Sequence, residues 1–147
     1  MDVKVRVKKL HEKAKLPLYQ TAGAAGFDLY ACLREAVTLA PMERALIPTG
    51  IAIQIADKSL CALCYARSGL AIRSGIALAN GVGVIDSDYT GEIQVGVINF
   101  SNAPYTIYPQ DRIAQVVLTP VVHAVFEEVE TLEETGRGGG GFGSTGR

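Results

Sequence analysis

Over the first eight positions Val3, Val5 and Val7 interleave with Lys4, Arg6 and Lys8, the two-residue period of a strand with one buried face. Further strand-like runs lie at 25–31, 37–39, 45–47, 51–55, 60–65, 81–85, 93–100, 105–108 and 113–119. Residues 121–129 read as a strand that closes the series. Turn-forming groups separate these runs: Ala40-Pro41-Met42-Glu43, Pro48-Thr49-Gly50, Asp86-Ser87-Asp88, Ser101-Asn102-Ala103-Pro104 and Pro109-Gln110-Asp111, rich in the residues that preset or tolerate turn geometry. Only 68–74 has helical character, with Ser68 placed as its N-cap. Many short strands at this spacing predict an all-β sandwich, jelly roll or barrel with one short helix.

The end of the chain breaks the pattern. Residues 136–146 hold seven of the sixteen glycines, a composition that cannot pack a core and is mobile without a ligand. The expected organisation is therefore one β domain over 1–135 and a glycine-rich tail over 136–147. No internal repeat or interdomain linker is visible.

Composition narrows the function. A chain of 147 residues, 48% hydrophobic and 20% charged, is sized for one globular domain. Its net charge of −1 speaks against direct binding of duplex nucleic acid over a basic surface, although a local site can still take a small anion. The sequence shows no membrane-length apolar run and no apolar signal core after Met1, so a cytoplasmic or other reducing intracellular setting is expected. Three cysteines do not make a disulfide framework. Cys61 and Cys64 form a C-x-x-C pair, but within a strand they face opposite sides and no second ligand pair accompanies them. Buried, inert thiols are expected.

Five segments carry candidate chemistry. In Arg137-Gly-Gly-Gly-Gly-Phe142-Gly143-Ser144-Thr145-Gly146, glycines let backbone N–H groups converge on an anion, and Arg137 adds a planar fork suited to phosphate. The segment lacks the lysine and following helix of a Walker A loop; a flexible linker would have the glycines but no use for Phe142. Arg67-Ser68-Gly69-Leu70-Ala71 would set free N–H groups and the positive end of a helix beside an arginine, or be an ordinary capped helix. Residues 81–92, with Asp86, Asp88 and Tyr89, read as a hairpin with two carboxylates and an aromatic ring at its mouth. Such a tip serves turn geometry or offers a general base. Asp28 interrupts the apolar run Gly26-Phe27-Asp28-Leu29-Tyr30 and has to be paired, solvated or tied to a cation. Asp111 and Arg112 form an acid–base pair at a strand entrance, read as a structural ion pair.

In chain order, AGFDLYA, ARSGLA, GVIDSDYTGE, DRIAQ and RGGGGFGSTG resemble the five motifs of the trimeric dUTP pyrophosphatase (dUTPase) family. They span residues 25 to 146. The resemblance implies a jelly-roll subunit, a homotrimer with sites at subunit interfaces, and hydrolysis of dUTP to dUMP and pyrophosphate with Mg²⁺. That activity would limit uracil incorporation into DNA and supply dUMP for dTMP synthesis. It further implies that Asp86 activates the attacking water, and that Tyr89 stacks on the deoxyribose and excludes a 2′-hydroxyl. Asn80, with the backbone around Val84 and Ile85, would read uracil. Asp28 would orient a water on the Mg²⁺ chelated by the triphosphate, while Arg67, Ser68, Gly69 and Gln115 hold phosphate oxygens. From the tail, Phe142 would cover the uracil while Arg137, Ser144 and Thr145 grip the γ-phosphate, with Gly143 among the substrate-binding positions.

Three positions depart from the family pattern: Ala66 stands where proline is usual, Tyr65 replaces a more polar neighbour, and Gln110 stands where glycine usually precedes Asp111. The rival readings are a dCTP deaminase or bifunctional deaminase–pyrophosphatase of the same fold, and a nucleotide-sensing regulator that binds another protein. The IDSDY hairpin and the phenylalanine-bearing tail favour the plain pyrophosphatase.

Overall fold

The computed structural model describes residues 2–143. In chain order its elements are β1 (Val5–Lys9), β2 (Phe27–Tyr30), β3 (Val37–Leu39), β4 (Arg44–Ile55), β5 (Leu60–Tyr65), α1 (Ser68–Ser74), β6 (Ile76–Leu78), β7 (Gly83–Ile85), β8 (Glu92–Asn99), β9 (Tyr105–Ile107) and β10 (Arg112–Pro120). Two four-stranded sheets, ordered β1-β4-β8-β6 and β2-β10-β5-β7, are joined by the small pair β3-β9, and every pairing is antiparallel. This is a double-sheet jelly roll. The inward residues of both sheets, among them Leu29, Ile47, Ile53, Ala62, Val95, Val97 and Val116, form one buried cluster, as alternation on two facing sheets requires. No helix among the described residues is long and apolar enough to cross a membrane.

Most expected strands are present within a residue or two, and four expectations need correction. Residues 45–47 and 51–55 are one strand, and Pro48-Thr49-Gly50 is a bulge within it, marked by the register shift between Pro48 and Ala52. Proline has no N–H to give a ladder and is tolerated at such a break. Gly50, at φ 67°, donates to Glu92 Oε1 at 2.9 Å, while Thr49 Oγ1 donates to the Ile93 carbonyl at 2.6 Å. A Cβ on Gly50 would lie 2.8 Å from both Ala14 Cβ and Cys32 Sγ. The second correction is β6, a three-residue strand too short to show a period. It follows Gly75, whose φ of 70° ends α1 in a left-handed cap.

Third, 121–129 forms no strand within the chain. After Val121 N donates to Ser59 O at 2.8 Å, residues 122–135 lie exposed along the surface. Fourth, Ser68 is the first residue of α1 and not its cap. Arg67 occupies the cap position in an extended conformation (φ −79°, ψ 127°) with no side-chain capping bond.

Candidate functional site

Two clusters gather the expected site residues, at opposite edges of one sheet. The first is built on β7 and the turns around it. Gly81 takes φ 73° and donates to Leu78 O, and Val82 N donates to Asn80 O. Gly83 faces β5 so closely that a Cβ there would come within 3.2 Å of Cys64 Cβ. Past Ile85 the chain turns at Asp86, whose carbonyl accepts from Tyr89 N at 3.1 Å. The Tyr89 hydroxyl then donates to Glu92 O at 2.8 Å. Its ring lies over Gly91, where a Cβ would meet the hydroxyl at 2.6 Å, so the lack of a side chain at 91 leaves room for the ring. Asn80, Gly83, Val84, Ile85, Asp86 and Tyr89 thereby line a cavity of about 330 Å³, with Cys64 and Leu78 deeper in it. Both Asp86 and Tyr89 are exposed at its mouth.

The floor of that cavity is chemically quiet. Burial pushes the Cys64 thiol up to about 11, so it stays a neutral thiol near pH 7. Cys61 and Cys64 are both buried and free. Cys64 joins the core cluster, whereas Cys61 borders a separate surface cleft with Val84, Val121 and His123. The two sulfurs therefore belong to opposite faces of β5, as the spacing predicts.

The second cluster lies on the outer face of β2 and β10. Phe27 and Leu29 point into the core, which puts Asp28 and Tyr30 on the other face. Buried Asp28 meets two arginines: Arg67 Nε lies 3.3 Å from Oδ1, and Arg112 Nη1 donates to Oδ2 at 3.1 Å. Arg67 also donates to Arg112 O at 3.1 Å. Gln115, opposite both Asp28 and Tyr65 in register, donates to Ala66 O at 3.1 Å and ties α1's entrance to the sheet. Ser68, Gly69 and Leu70 open α1 beside this cluster. The first recorded helical bond is Ala71 N to Arg67 O, which leaves their N–H groups for an anion.

The expected Asp111–Arg112 pair is therefore replaced. Neighbours on an extended chain point to opposite sides; Arg112 turns to Asp28, and the Asp111 carboxylate accepts from Tyr108 N at 2.8 Å in its own turn. Arg112 is a member of the charged cluster that the sequence left among structural pairs. Its proximity to Arg67 and Asp28 becomes visible only through the antiparallel pairing of β10 with both β2 and β5.

The tail contacts neither cluster through any hydrogen bond recorded among the described residues. Arg137 Nε donates to Gly140 O at 2.8 Å, and Gly138 N to Thr135 O at 3.0 Å. Phe142, at φ 50°, is fully exposed, with Gly143 beside it. Ser144 and Thr145 lie outside the described residues.

The Mg²⁺ expected from the sequence has a limited donor set. Among the described residues no three His, Cys, Asp or Glu side chains gather as a metal cage. The arginine corner offers one carboxylate, Asp28, between two guanidinium groups. That set fits a Mg²⁺ carried mainly by ligand phosphates and water, with one carboxylate nearby. It does not fit a resident ion held by protein alone.

Comparison with known proteins agrees with this architecture. The family model dUTPase matches residues 12–146. Deoxyuridine 5′-triphosphate nucleotidohydrolases of Escherichia coli (strain K12 / DH10B) and Shigella flexneri are each 50% identical over 147 residues, covering 100% of this chain and 97% of the relative. The solved dUTPase of Staphylococcus bacteriophage 80alpha with dUPNHPP superposes with a TM-score of 0.87 at 27% identity, covering 98% of this chain and 99% of that one. With the family model matched over nearly all of this jelly-roll chain, the chain belongs to the dUTPase family.

Proposed function

We propose that this chain hydrolyses dUTP to dUMP and pyrophosphate, with Asp86 as general base. The observation that carries the reading is the carboxylate of Asp86 at the mouth of a nucleoside-sized cavity lined by Asn80, Gly83 and Tyr89. Uracil enters against the exposed edges of the 80–85 backbone and the Asn80 amide. Tyr89, pinned by its bond to Glu92 O, lies against the deoxyribose and leaves no space for a 2′-hydroxyl. Asp86 takes a proton from water as the oxygen attacks the α-phosphorus; the bond from that phosphorus to the bridging oxygen breaks, and pyrophosphate leaves. When bound, Mg²⁺ neutralises phosphate charge and stabilises the leaving group. Arg67, the N–H groups of Ser68 and Gly69, and Gln115 hold phosphate oxygens; Asp28 orients the arginines and, with the ion bound, would orient one of its waters. Phe142 closes over the base, while Arg137 and the tail positions Gly143, Ser144 and Thr145 hold the terminal phosphate.

Geometry supports assembling the site from more than one copy, and the five-motif resemblance makes that assembly a homotrimer. Asp86 follows β7 and Asp28 lies on β2, opposite edges of one four-stranded sheet. Three inter-strand steps separate them by about 14 Å, too far for one α-phosphate to touch both within one chain. The exposed stretch 122–135 pairs with neither sheet of its own chain.

Asp86→Asn tests the assignment. Loss of a general base lowers turnover by about 10²–10⁴-fold, and because Asp86 is exposed the variant keeps its fold and its affinity for a non-hydrolysable dUTP analogue. Near-normal release of pyrophosphate from dUTP by that variant would refute the role.

A further inference from the structure

We propose that Lys15 is a further substrate-binding residue, extending the cationic corner of Arg67 and Arg112 toward the polyphosphate, and that Gln110 is the residue that positions it. The inference rests on the phosphate-binding role proposed for that corner. Asp28 and Tyr30 are two residues apart on β2 and share its outer face, about 6.6 Å apart along the strand. Arg112 is the register partner of Tyr30 and reaches back to Asp28. The Lys15 ammonium lies 5.1 Å from the centre of the Tyr30 ring, within the range of a cation–π contact. Gln20 Nε2 donates to the Tyr30 hydroxyl at 3.2 Å and holds the ring from its far end. Arg67, Asp28, Arg112, Tyr30 and Lys15 thus form a continuous row containing three cations and one carboxylate, a local excess of positive charge on a chain of net charge −1. Charges act over about 8–10 Å at ordinary salt, and the row advances only about 6.6 Å along β2 from Asp28 to Tyr30.

The loop carrying Lys15 is fixed. Leu10 N donates to Gly50 O at 2.7 Å, Ala14 is buried in the core, and Leu18 O accepts from Asp28 N at 2.9 Å. The remaining tie is Gln110, whose Nε2 donates to Lys13 O at 2.9 Å. Gln110 sits at φ 72°, a left-handed conformation that glycine adopts freely and glutamine does not. Glycine would relieve the backbone and lose the tether. The strained glutamine keeps the Lys13–Lys15 segment against the charged row.

Binding of inorganic tripolyphosphate, measured by calorimetry on the full-length assembled protein at low ionic strength with Mg²⁺, provides the test. Lys15→Ala weakens tripolyphosphate binding and raises KM for dUTP by about 2–5-fold, the scale of one exposed charge pair. The effect shrinks as salt is added, kcat stays within about twofold, and Lys15→Arg restores both constants. Affinity for dUMP, whose single phosphate lies nearer Asp86, changes less. Gln110→Gly gives an unchanged or higher Tm together with weaker tripolyphosphate binding, a combination that a purely structural role would not produce. Unaltered tripolyphosphate affinity in Lys15→Ala overturns the binding role. A lower Tm with unaltered affinity in Gln110→Gly overturns the positioning role. Absence of dUTP hydrolysis by the unaltered protein would refute the proposed activity instead, and the calorimetric difference would still decide Lys15.

Discussion

Strand β8 and the segment after β10 carry similar apolar residues and meet opposite fates. In β8, Ile93, Val95 and Val97 are buried between two sheets, and β4 and β6 pair with its two sides. Beyond Pro120, Val122 is 97% exposed, Val125 98% and Phe126 94%, and one backbone bond, from Val121, ties the segment down. Adjacent large apolar residues in water mark a surface awaiting a partner. The difference teaches that alternation reports a tendency to be covered and does not say which chain supplies the cover. It also separates a body whose apolar residues are covered within one chain from an arm whose apolar residues are not.

Cutting the chain after Thr135 breaks the comparison most severely. If the body is self-sufficient and the tail serves the site, the shortened chain keeps its Tm. Its kcat/KM for dUTP drops by about 10²–10³-fold, from lost stacking of Phe142 and lost charge-assisted bonds from Arg137. Steady-state kinetics beside a thermal melt reads both, and normal kinetics would reduce the tail to a linker.

Asn99→Ala strikes the other region. Asn99 is fully buried; its amide donates to Leu39 O at 2.9 Å and Ala103 O at 2.8 Å, and its oxygen accepts from Ser101 N and Oγ. Removing it leaves buried groups unpaired and costs about 2–3 kcal/mol, seen as a lower midpoint in urea. A midpoint within error of the unaltered protein would show that the body does not depend on this junction.

Thiol reactivity sharpens the contrast at lower cost to the fold. Cys32 is half-buried, whereas Cys61 and Cys64 are buried, so an alkylating reagent near pH 8 labels Cys32 first, and all three only after denaturation. Cys64 also gives the body an alkaline limit. Its pKa rises from 9.0 to about 11 on burial, so the stabilising contribution is complete below pH 9 and is lost as pH climbs through 11. Equal labelling of all three thiols in the native protein would contradict the burial.

These regions also differ in how far they could be read from sequence. Strand positions, the all-β class and the hairpin carrying Asp86 and Tyr89 were legible, because each depends on alternation or on turn chemistry within a few residues. The jelly roll in particular, and Asn80 as a site residue, came only through the family resemblance. The bulge at Pro48–Gly50 was not, since proline and glycine favour a turn as much as a bulge, and only the pairing with β8 decides between them. Ser68 lost its capping role because the helix begins one residue earlier than expected, with extended Arg67 at the cap. Arg112 was assigned to its sequence neighbour Asp111, yet its partner lies 84 positions away across a sheet. The 121–129 segment was read as a strand from its apolar composition, but no strand of this chain lies beside it to pair with.

The central claim, that the tail of one copy completes the site of another, is tested most directly by complementation. Asp86→Asn and the chain ending at Thr135 are each nearly inactive alone, one lacking the base and the other the tail. Refolded together, with subunit mixing verified by mass, they form mixed assemblies in which Asp86 of a truncated copy faces the tail of an Asp86→Asn neighbour. Pyrophosphate release from dUTP then reappears. Mixed assemblies that remain as inactive as either parent would show that each tail serves only its own chain, and would contradict the account.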